Sequence, residues 1–251
     1  MSQNNLDNGE ICIAIDPMGI NSLSIGIAVL LAEKLKTGIY GLFVGNDSLQ
    51  NVAQLPFATE IHLATGDERV LAADSLRALY QKNIERTKLL VAHSAAARQV
   101  GLRFDISDGQ ISLDVVLEHQ TVFFMPAPAR RYSTGAKPHT GQPGSVKWVY
   151  DGSEASMRSF ELIKALIAEN IVHKVFLAGK SAVPTNVFTE LAAQGARVFW
   201  MSLTGDDVSA CLRAYPEVDL IVVPRTVSAQ IGEKQLMAIN RATSAAVLVV
   251  C

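Results

Sequence analysis

The sequence predicts an α/β protein built from two tandem units of open parallel sheet, and two observations support this prediction. Short apolar runs of strand length alternate with segments of helical periodicity along most of the chain. The strand–helix–strand pattern that begins at Ile11 returns at Val146, almost without gaps, when Asp16 is placed on Asp151. Such units connect parallel strands, so their repetition indicates a duplicated α/β architecture.

In the first unit, the apolar runs Ile11–Ile15 and Ile39–Val44 predict two buried parallel strands that flank a helix. Gly38 marks the end of that helix, and Gly101 ends a second, longer one. The remaining elements predicted here are a short strand at Glu60–Leu63, the long helix Asp74–Val100, a strand at Arg103–Ile106, a short helix at Ile111–Glu118 and a strand at Thr121–Met125.

The second unit is organised around the stretch Val146–Ser156, which reads VKWVYDGSEAS. An apolar strand ends at Asp151, and Ser153 can cap the helix that follows. The further elements predicted in this unit are the helix Met157–Ile167, the strand Lys174–Ala178, the helix Pro184–Gln194, the strand Arg197–Met201, the helix Asp207–Tyr215, the strand Asp219–Val223, the helix Gln230–Ala242 and the strand Ala246–Val250.

Residues 126–145 differ in composition from both units and separate them. They contain four prolines, three glycines and several basic residues, and they contain no acid. This composition predicts a linker, and the alternative is a basic lid over an anion. The predicted domains are therefore residues 1–125, a linker at 126–145, and residues 146–251. No apolar run after Met125 fits a fifth strand, so the first unit is predicted to be truncated.

Composition excludes several classes of partner and site. The net charge of -2 gives no reason to expect nucleic acid or an anionic membrane as partner. No apolar run approaches the roughly 18–20 residues of a membrane span, and the N-terminal stretch lacks a secretory pattern. The three cysteines, Cys12, Cys211 and Cys251, are widely spaced and predict no disulfide framework. We therefore expect a globular cytoplasmic protein.

Motifs for catalysis or metal binding are weak in this sequence. The five histidines show no metal-ligand spacing with one another or with the cysteines, so we predict no metal site. There is no G-x-S-x-G motif for a serine nucleophile. Gly179-Lys180-Ser181 matches the end of a P-loop, but Lys174 stands where the motif needs glycine. We predict no catalytic residue.

Three segments of the second unit resemble the universal stress protein family. They are Tyr150–Ser156 (YDGSEAS) after a strand, Asp219–Val223 (DLIVV), and the final Ala246–Val250 (AVLVV). The resemblance covers Val146–Cys251 well and Ile11–Met125 more loosely. It implies sheets of strand order 3-2-1-4-5, which in many members bind ATP at the carboxyl ends of strands one and four. The candidate nucleotide contacts that it implies here are Asp16, Asp151, Ser153, Val223 and Arg225. For the two aspartates, capping a turn or helix is an equally good alternative.

The phosphate-binding loop of the family departs from its pattern in this chain. The family pattern is G-x-x-G, followed further on by G-S or G-T, because glycines let backbone amides approach phosphates. Here Pro224 and Val227 stand at the first two glycine positions, and Glu233 follows Gly232 in place of the hydroxyl residue. In the first unit, Met125–Pro128 also lacks glycine.

The resulting hypothesis is a non-catalytic, stress-associated binding or regulatory protein with a degenerate nucleotide site. The first alternative is a functional ATP- or AMP-binding sensor in which Arg225 compensates for the missing backbone amides. The second alternative is an enzyme of the wider adenine-nucleotide hydrolase-like group. A titration with nucleotides and a turnover assay separate these three hypotheses.

The strand Ala246–Val250 is the only predicted fifth strand, which leaves the edge of the first unit without a partner. Three arrangements would cover that edge. The linker covers it, the terminal strand pairs with the first unit, or the terminal strand pairs with a second molecule. The sequence therefore predicts either an internal pseudo-dimer or a homodimer.

Overall fold

The computed structural model describes residues 9–16, 22–44, 55, 57–61, 65–107, 116, 122–127, 144–179, 183–203, 208–213, 218–243 and 245–251. Eleven strands and seven helices fall within these ranges. In the first half they are β1 (Ile11–Ile15), α1 (Ser22–Leu35), β2 (Ile39–Val44), β3 (Thr59–Ile61), β4 (Glu68–Val70), α2 (Ala73–Ala97), β5 (Leu102–Ser107) and β6 (Val122–Met125). In the second half they are β7 (Gly144–Tyr150), α3 (Glu154–Ala168), β8 (Val172–Gly179), α4 (Thr185–Ala193), β9 (Arg197–Ser202), α5 (Val208–Arg213), β10 (Leu220–Pro224), α6 (Arg225–Ile231), α7 (Glu233–Thr243) and β11 (Ala246–Val250).

Nine of the described strands form one sheet in the order β5-β2-β1-β6-β11-β10-β7-β8-β9. The first half contributes strands in the order 3-2-1-4, and the second half, counted from the other end, contributes 3-2-1-4-5. The described strand pairs of this nine-stranded sheet are parallel, except that β6 and β11 are antiparallel. The predicted α/β class is confirmed, and the two units share one sheet.

Strand β11 joins the two halves. It pairs in parallel with β10 and antiparallel with β6, where Val247 is opposite Met125 and Val250 is opposite Val122. All five residues of β11 are buried, as a strand covered on both faces requires. Of the three predicted arrangements, the structure therefore has the one in which the terminal strand covers the edge of the first unit.

The duplication is visible in the positions of the two aspartates. Asp16 directly follows β1 and Asp151 directly follows β7, and each of these strands lies between the second and fourth strands of its half. The prediction that they occupy equivalent positions is confirmed. The same correspondence places Cys12 on Lys147, and both side chains are fully buried.

Helices cover the sheet on two sides and create two apolar cores. One core contains side chains of α1, α2, α3 and α4, and the other contains side chains of α5, α6 and α7. Helix α3 is amphipathic, and Phe160 on its buried face stacks on Trp148 of β7 with ring centroids 5.9 Å apart. None of the helices in the described ranges has the length and apolar character needed to cross a membrane.

Several predicted boundaries need correction. Strand β7 begins at Gly144, two residues inside the predicted linker 126–145, because Ser145 pairs with Lys174 of β8. Of the predicted strand at residues 60–63, Glu60 and Ile61 lie in β3, which forms a hairpin with β4, and the other two residues lie outside the described ranges. Most of the linker, and the predicted helix Ile111–Glu118 apart from Val116, lie outside the described residues. Trp200 of β9 is 41% exposed.

Candidate functional site

The candidate site lies where β7 and β10 end side by side. Strand β7 lies between β8 and β10 in the sheet. From β7, the sheet continues through β8 and β9 on one side and through β10 and β11 on the other, so the strand order reverses at β7. In open α/β sheets, ligands bind at this kind of switch point, outside the carboxyl ends of the strands. Asp151 follows β7, and helix α6 begins directly after Pro224 of β10.

The carboxylate of Asp151 is the hub of this site. Its Oδ1 accepts hydrogen bonds from the Ser153 amide at 2.9 Å, the Ser153 hydroxyl at 2.6 Å and the Ser156 hydroxyl at 2.6 Å. Its Oδ2 accepts a short hydrogen bond from the hydroxyl of Thr226. A carboxylate offers about four acceptor positions. Three donors of the protein itself therefore surround Oδ1, and Thr226 uses one acceptor position of Oδ2.

Local sequence explains most of these contacts. Gly152 has a φ of 82°, a conformation that glycine adopts without strain, and it turns the chain so that Ser153 can begin helix α3. The Ser153 hydroxyl accepts a hydrogen bond from the amide of Ser156, which is a helix cap. The Ser156 hydroxyl in turn accepts from the amide of Asp151 at 3.1 Å. Asp151, Ser153 and Ser156 thus close a ring of hydrogen bonds.

Hydrogen bonding also sets the charge of Asp151. Partial burial acts to raise the pKa of this carboxyl, but the hydroxyls of Ser153, Ser156 and Thr226 and the Ser153 amide outweigh it and hold the pKa below its ordinary value. Asp151 is therefore ionised at neutral pH. The negative charge is stabilised by donors within the protein.

Helix α6 occupies the place of the expected phosphate loop. Residues Arg225–Ile231 are helical, Gly232 with a φ of 79° ends this helix, and α7 follows at once. The predicted single helix Gln230–Ala242 is therefore corrected: Gln230 and Ile231 belong to α6, and α7 covers the rest from Glu233. Pro224 fits the start of α6 because it lacks the amide that the first helical turn leaves unused. Thr226 in the first turn of α6 is thereby placed against Asp151.

The other predicted site residues are distributed around this edge. Val223 lies in β10 with its side chain fully buried in the second core. Arg225 is exposed, and its guanidinium interacts with the Cys251 thiol. Arg158 donates to the main-chain oxygen of Cys251 at 2.9 Å and to Glu154 at 2.6 Å. Burial raises the pKa of the Cys251 thiol, and the charge of Arg225 acts against that rise. The structure brings Asp151 and Ser153 together but places Val223 in the core.

The equivalent edge of the first half is described only in part. Asp16 is exposed at the end of β1, and the flanking residues 17–21 and 128–143 lie outside the described ranges. After β6, the Ala127 amide donates to the buried Ser24 hydroxyl at 3.1 Å, and the Pro126 carbonyl accepts from Asn240 of α7 at 3.1 Å. The segment that follows β6 is thus hydrogen-bonded to both halves of the protein.

Sequence reasoning missed three polar residues of the second half. Ser156 follows Ser153 at the spacing of a helix cap, so the motif D-G-S-E-A-S could have indicated it. Thr226 gave no local signal, because its contact with Asp151 spans 75 positions. Lys147 is fully buried in β7, and its ammonium donates to the carbonyls of Cys211 at 3.0 Å and Leu212 at 2.9 Å. Among the described residues, no three His, Cys, Asp or Glu side chains are grouped as a metal site requires.

Comparisons with known proteins add no assignment. No family model matches the chain, and no curated protein matches it. Among solved structures, the crystal structure of Acinetobacter baumannii MurG matches with a TM-score of 0.24 and 13% sequence identity. The alignment covers 88% of this chain and 74% of the MurG chain. A TM-score of that size supports no inference about this chain.

Proposed function

We propose that this chain is a non-catalytic, stress-associated binding or regulatory protein similar to tandem universal stress proteins, acting in the cytoplasm. In this proposal the crevice between β7 and β10 no longer serves adenine nucleotides. The observation that carries the proposal is the hydrogen bond from Thr226 to Asp151, which ties the end of β10 to the end of β7.

The hydrogen bonding of Asp151 supports this reading. A ligand donor competes for this carboxylate with four donors of the protein, of which three bind Oδ1 and Thr226 binds Oδ2. A hydrogen bond to a charged group contributes about 1.5–3 kcal/mol, and about 1.4 kcal/mol is tenfold in affinity. Adenine would therefore gain little net free energy from Asp151.

The chemistry of the former phosphate loop also supports it. Pro224 has no amide to donate, and helix α6 directs its later amides into its own hydrogen bonds, as with the Gly232 amide to the Ser228 carbonyl at 2.9 Å. Glu233 adds negative charge where phosphate would require positive potential. Both features reduce affinity for a phosphate chain.

The polar side chains at the carboxyl ends of β7 and β10 hydrogen-bond to one another, and these bonds stabilise the local structure. Ser153 caps helix α3 by accepting from the Ser156 amide, and Arg158 links Glu154 to the main-chain oxygen of Cys251 after β11. A catalytic site would instead direct a nucleophile or base toward substrate. The family resemblance of the D-G-S-E-A-S segment and the strand order of both halves point to the same class of protein.

Isothermal titration with ATP, ADP and AMP in the presence of Mg²⁺ tests the proposal on the full chain. We expect no saturable binding in the submicromolar range and no nucleotide turnover above the buffer rate. Submicromolar ATP binding that is lost in Arg225→Ala would instead establish the sensor that uses a modified loop. Arg241→Ala, a change at an exposed residue of α7, is the matched control for charge. Measurable turnover would reject the non-catalytic assignment.

A further inference from the structure

The two ends of the nine-stranded sheet differ in how they are protected. Within the described residues, β5 and β9 are the outermost strands, and each pairs on one side only. An unpaired strand edge is a template for another strand, and natural proteins usually guard it with charged side chains.

The β5 edge carries such charges in mid-strand. Arg103 lies 2.7 Å from Glu10 through its Nε and 4.4 Å from the ring centroid of Tyr40. Asp105, two residues further along β5, is exposed. A strand that paired with this edge would have to accommodate both charges. The β5 edge is therefore guarded, in the sense that its charged side chains disfavour pairing with another strand.

The β9 edge, which reads RVFWMS, carries a charge only at its first residue. In its middle, Phe199 is 45% exposed and Trp200 is 41% exposed. These neighbours point to opposite faces of the sheet. Phe199 stacks on Phe176 with centroids 5.1 Å apart, and Trp200 meets Phe188 of α4 edge-on at 6.2 Å. The edge therefore presents ordered apolar surface on both faces.

We propose that β9 pairs antiparallel with β9 of a second copy of this chain, around a twofold axis through Trp200. In this register Trp200 lies opposite Trp200, and Phe199 lies opposite Met201, with each pair on a common face. Cross-strand aromatic and apolar pairs of this kind stabilise antiparallel sheets.

The charges of β9 permit pairing with a second copy of this chain. Arg197 would lie opposite the uncharged Leu203 of the second copy, and the two Arg197 residues would be about 20 Å apart along the pair. The molecule also joins its own halves in the same way, by antiparallel pairing of the edge strands β6 and β11. Pairing of β9 with itself extends that sheet across two molecules, and it does not depend on the proposed function.

Sedimentation equilibrium of the full chain from about 1 to 100 μM tests this proposal, because dimerisation follows mass action. We expect the wild type to be dimeric at the upper concentrations and Phe199→Lys to be monomeric throughout. Ile106→Lys is the matched control, since Ile106 is comparably exposed, at 46%, but lies on the guarded β5 edge. We expect that variant to remain dimeric.

Tryptophan fluorescence gives a second readout. The chain has two tryptophans, and Trp148 is fully buried, so a change on dilution reports Trp200. We expect the emission of the wild type to shift to the red on dilution and that of Phe199→Lys to stay constant. Met201→Lys, with the charge on the same face, should behave as Phe199→Lys and covers the case in which that variant does not fold. A monomeric wild type at about 100 μM, or a dimer that survives both lysine variants, would overturn the proposal.

Discussion

Lys147 places a charged side chain in the interior of the second half, where the equivalent position of the first half holds Cys12. Both are fully buried, and burial raises the pKa of the Cys12 thiol to about 12 while it lowers the pKa of Lys147 to about 8. The ammonium is retained because it donates to the carbonyls of Cys211 and Leu212 near the end of α5. Lys147 thus fixes a short helix to the sheet at a cost in desolvation.

That cost predicts a dependence of stability on pH. The unfolded chain keeps the Lys147 proton up to its ordinary pKa of 10.5, whereas the folded chain releases it at about 8. Between these values the unfolded state binds more protons, so this group makes the free energy of unfolding rise with pH, by about 3 kcal/mol in total. Urea unfolding at a series of pH values from neutral to alkaline measures it.

The matched variant is Lys147→Met, which shortens the side chain by one atom and removes its charge. Cys12 acts in the opposite direction above its ordinary pKa, so the informative quantity is the difference between wild type and variant at each pH. We expect that difference to move in favour of the wild type as pH rises. A difference that is constant with pH would show that Lys147 has the same pKa in both states.

Asp151 shows how far single residues could be predicted from the sequence. Its position after an apolar strand, and the serine that caps the next helix, follow from local rules of strand and cap. Its partner Thr226 could not be predicted, because no local rule fixes where α6 begins relative to β7. The depressed pKa of Asp151 depends on that contact as well as on the local serines.

Among the secondary-structure elements, strand β11 connects the two halves, because it pairs with β10 of the second half and with β6 of the first. Val249 lies opposite Phe123 of β6 and opposite Val223 of β10, and it is fully buried. Proline cannot donate to a strand ladder and is confined to strand edges. We expect Val249→Pro to lower the free energy of unfolding by several kcal/mol and to reduce the melting temperature strongly, as measured by calorimetry.

Val249→Ala is the control for this variant, because it removes buried methyl groups and keeps the backbone donor. It should lower the free energy of unfolding by about 1–3 kcal/mol. If proline and alanine at this position were equally destabilising, backbone pairing by β11 would not hold the two halves together.

Elements with a strong apolar pattern could be predicted closely. Strands such as β1 and β2 are buried on both faces, so their sequences are continuous apolar runs with clear ends. Helix α6 was not predicted because seven residues are too few to show a clear helical periodicity of apolar side chains. Proline is also common in loops, so Pro224 did not indicate a helix start. Its helical state depends on packing of Val227 and Ile231 in the second core.

In the whole molecule, the pairing of β6 with β11 joins the two halves in a single sheet. The first half supplies four strands, the second supplies five, and β11 fills the position between β6 and β10. A salt bridge of 2.7 Å from Lys34 to Glu169 also links the halves on the side of α1. The sequence predicts that the first half lacks a fifth strand, but the choice among linker, internal pairing and a second molecule required the structure. Homodimerisation stays a prediction.

In the proposed function, the crevice between β7 and β10 is closed to adenine nucleotide by contacts within the protein. A crystal structure of the full chain grown with millimolar Mg²⁺ and ATP tests it most directly. We predict that the Thr226 hydroxyl still donates to Asp151, that α6 still begins at Arg225, and that no nucleotide lies between them. Density for adenine beside Asp151, with Thr226 displaced and phosphates at the start of α6, would contradict the claim.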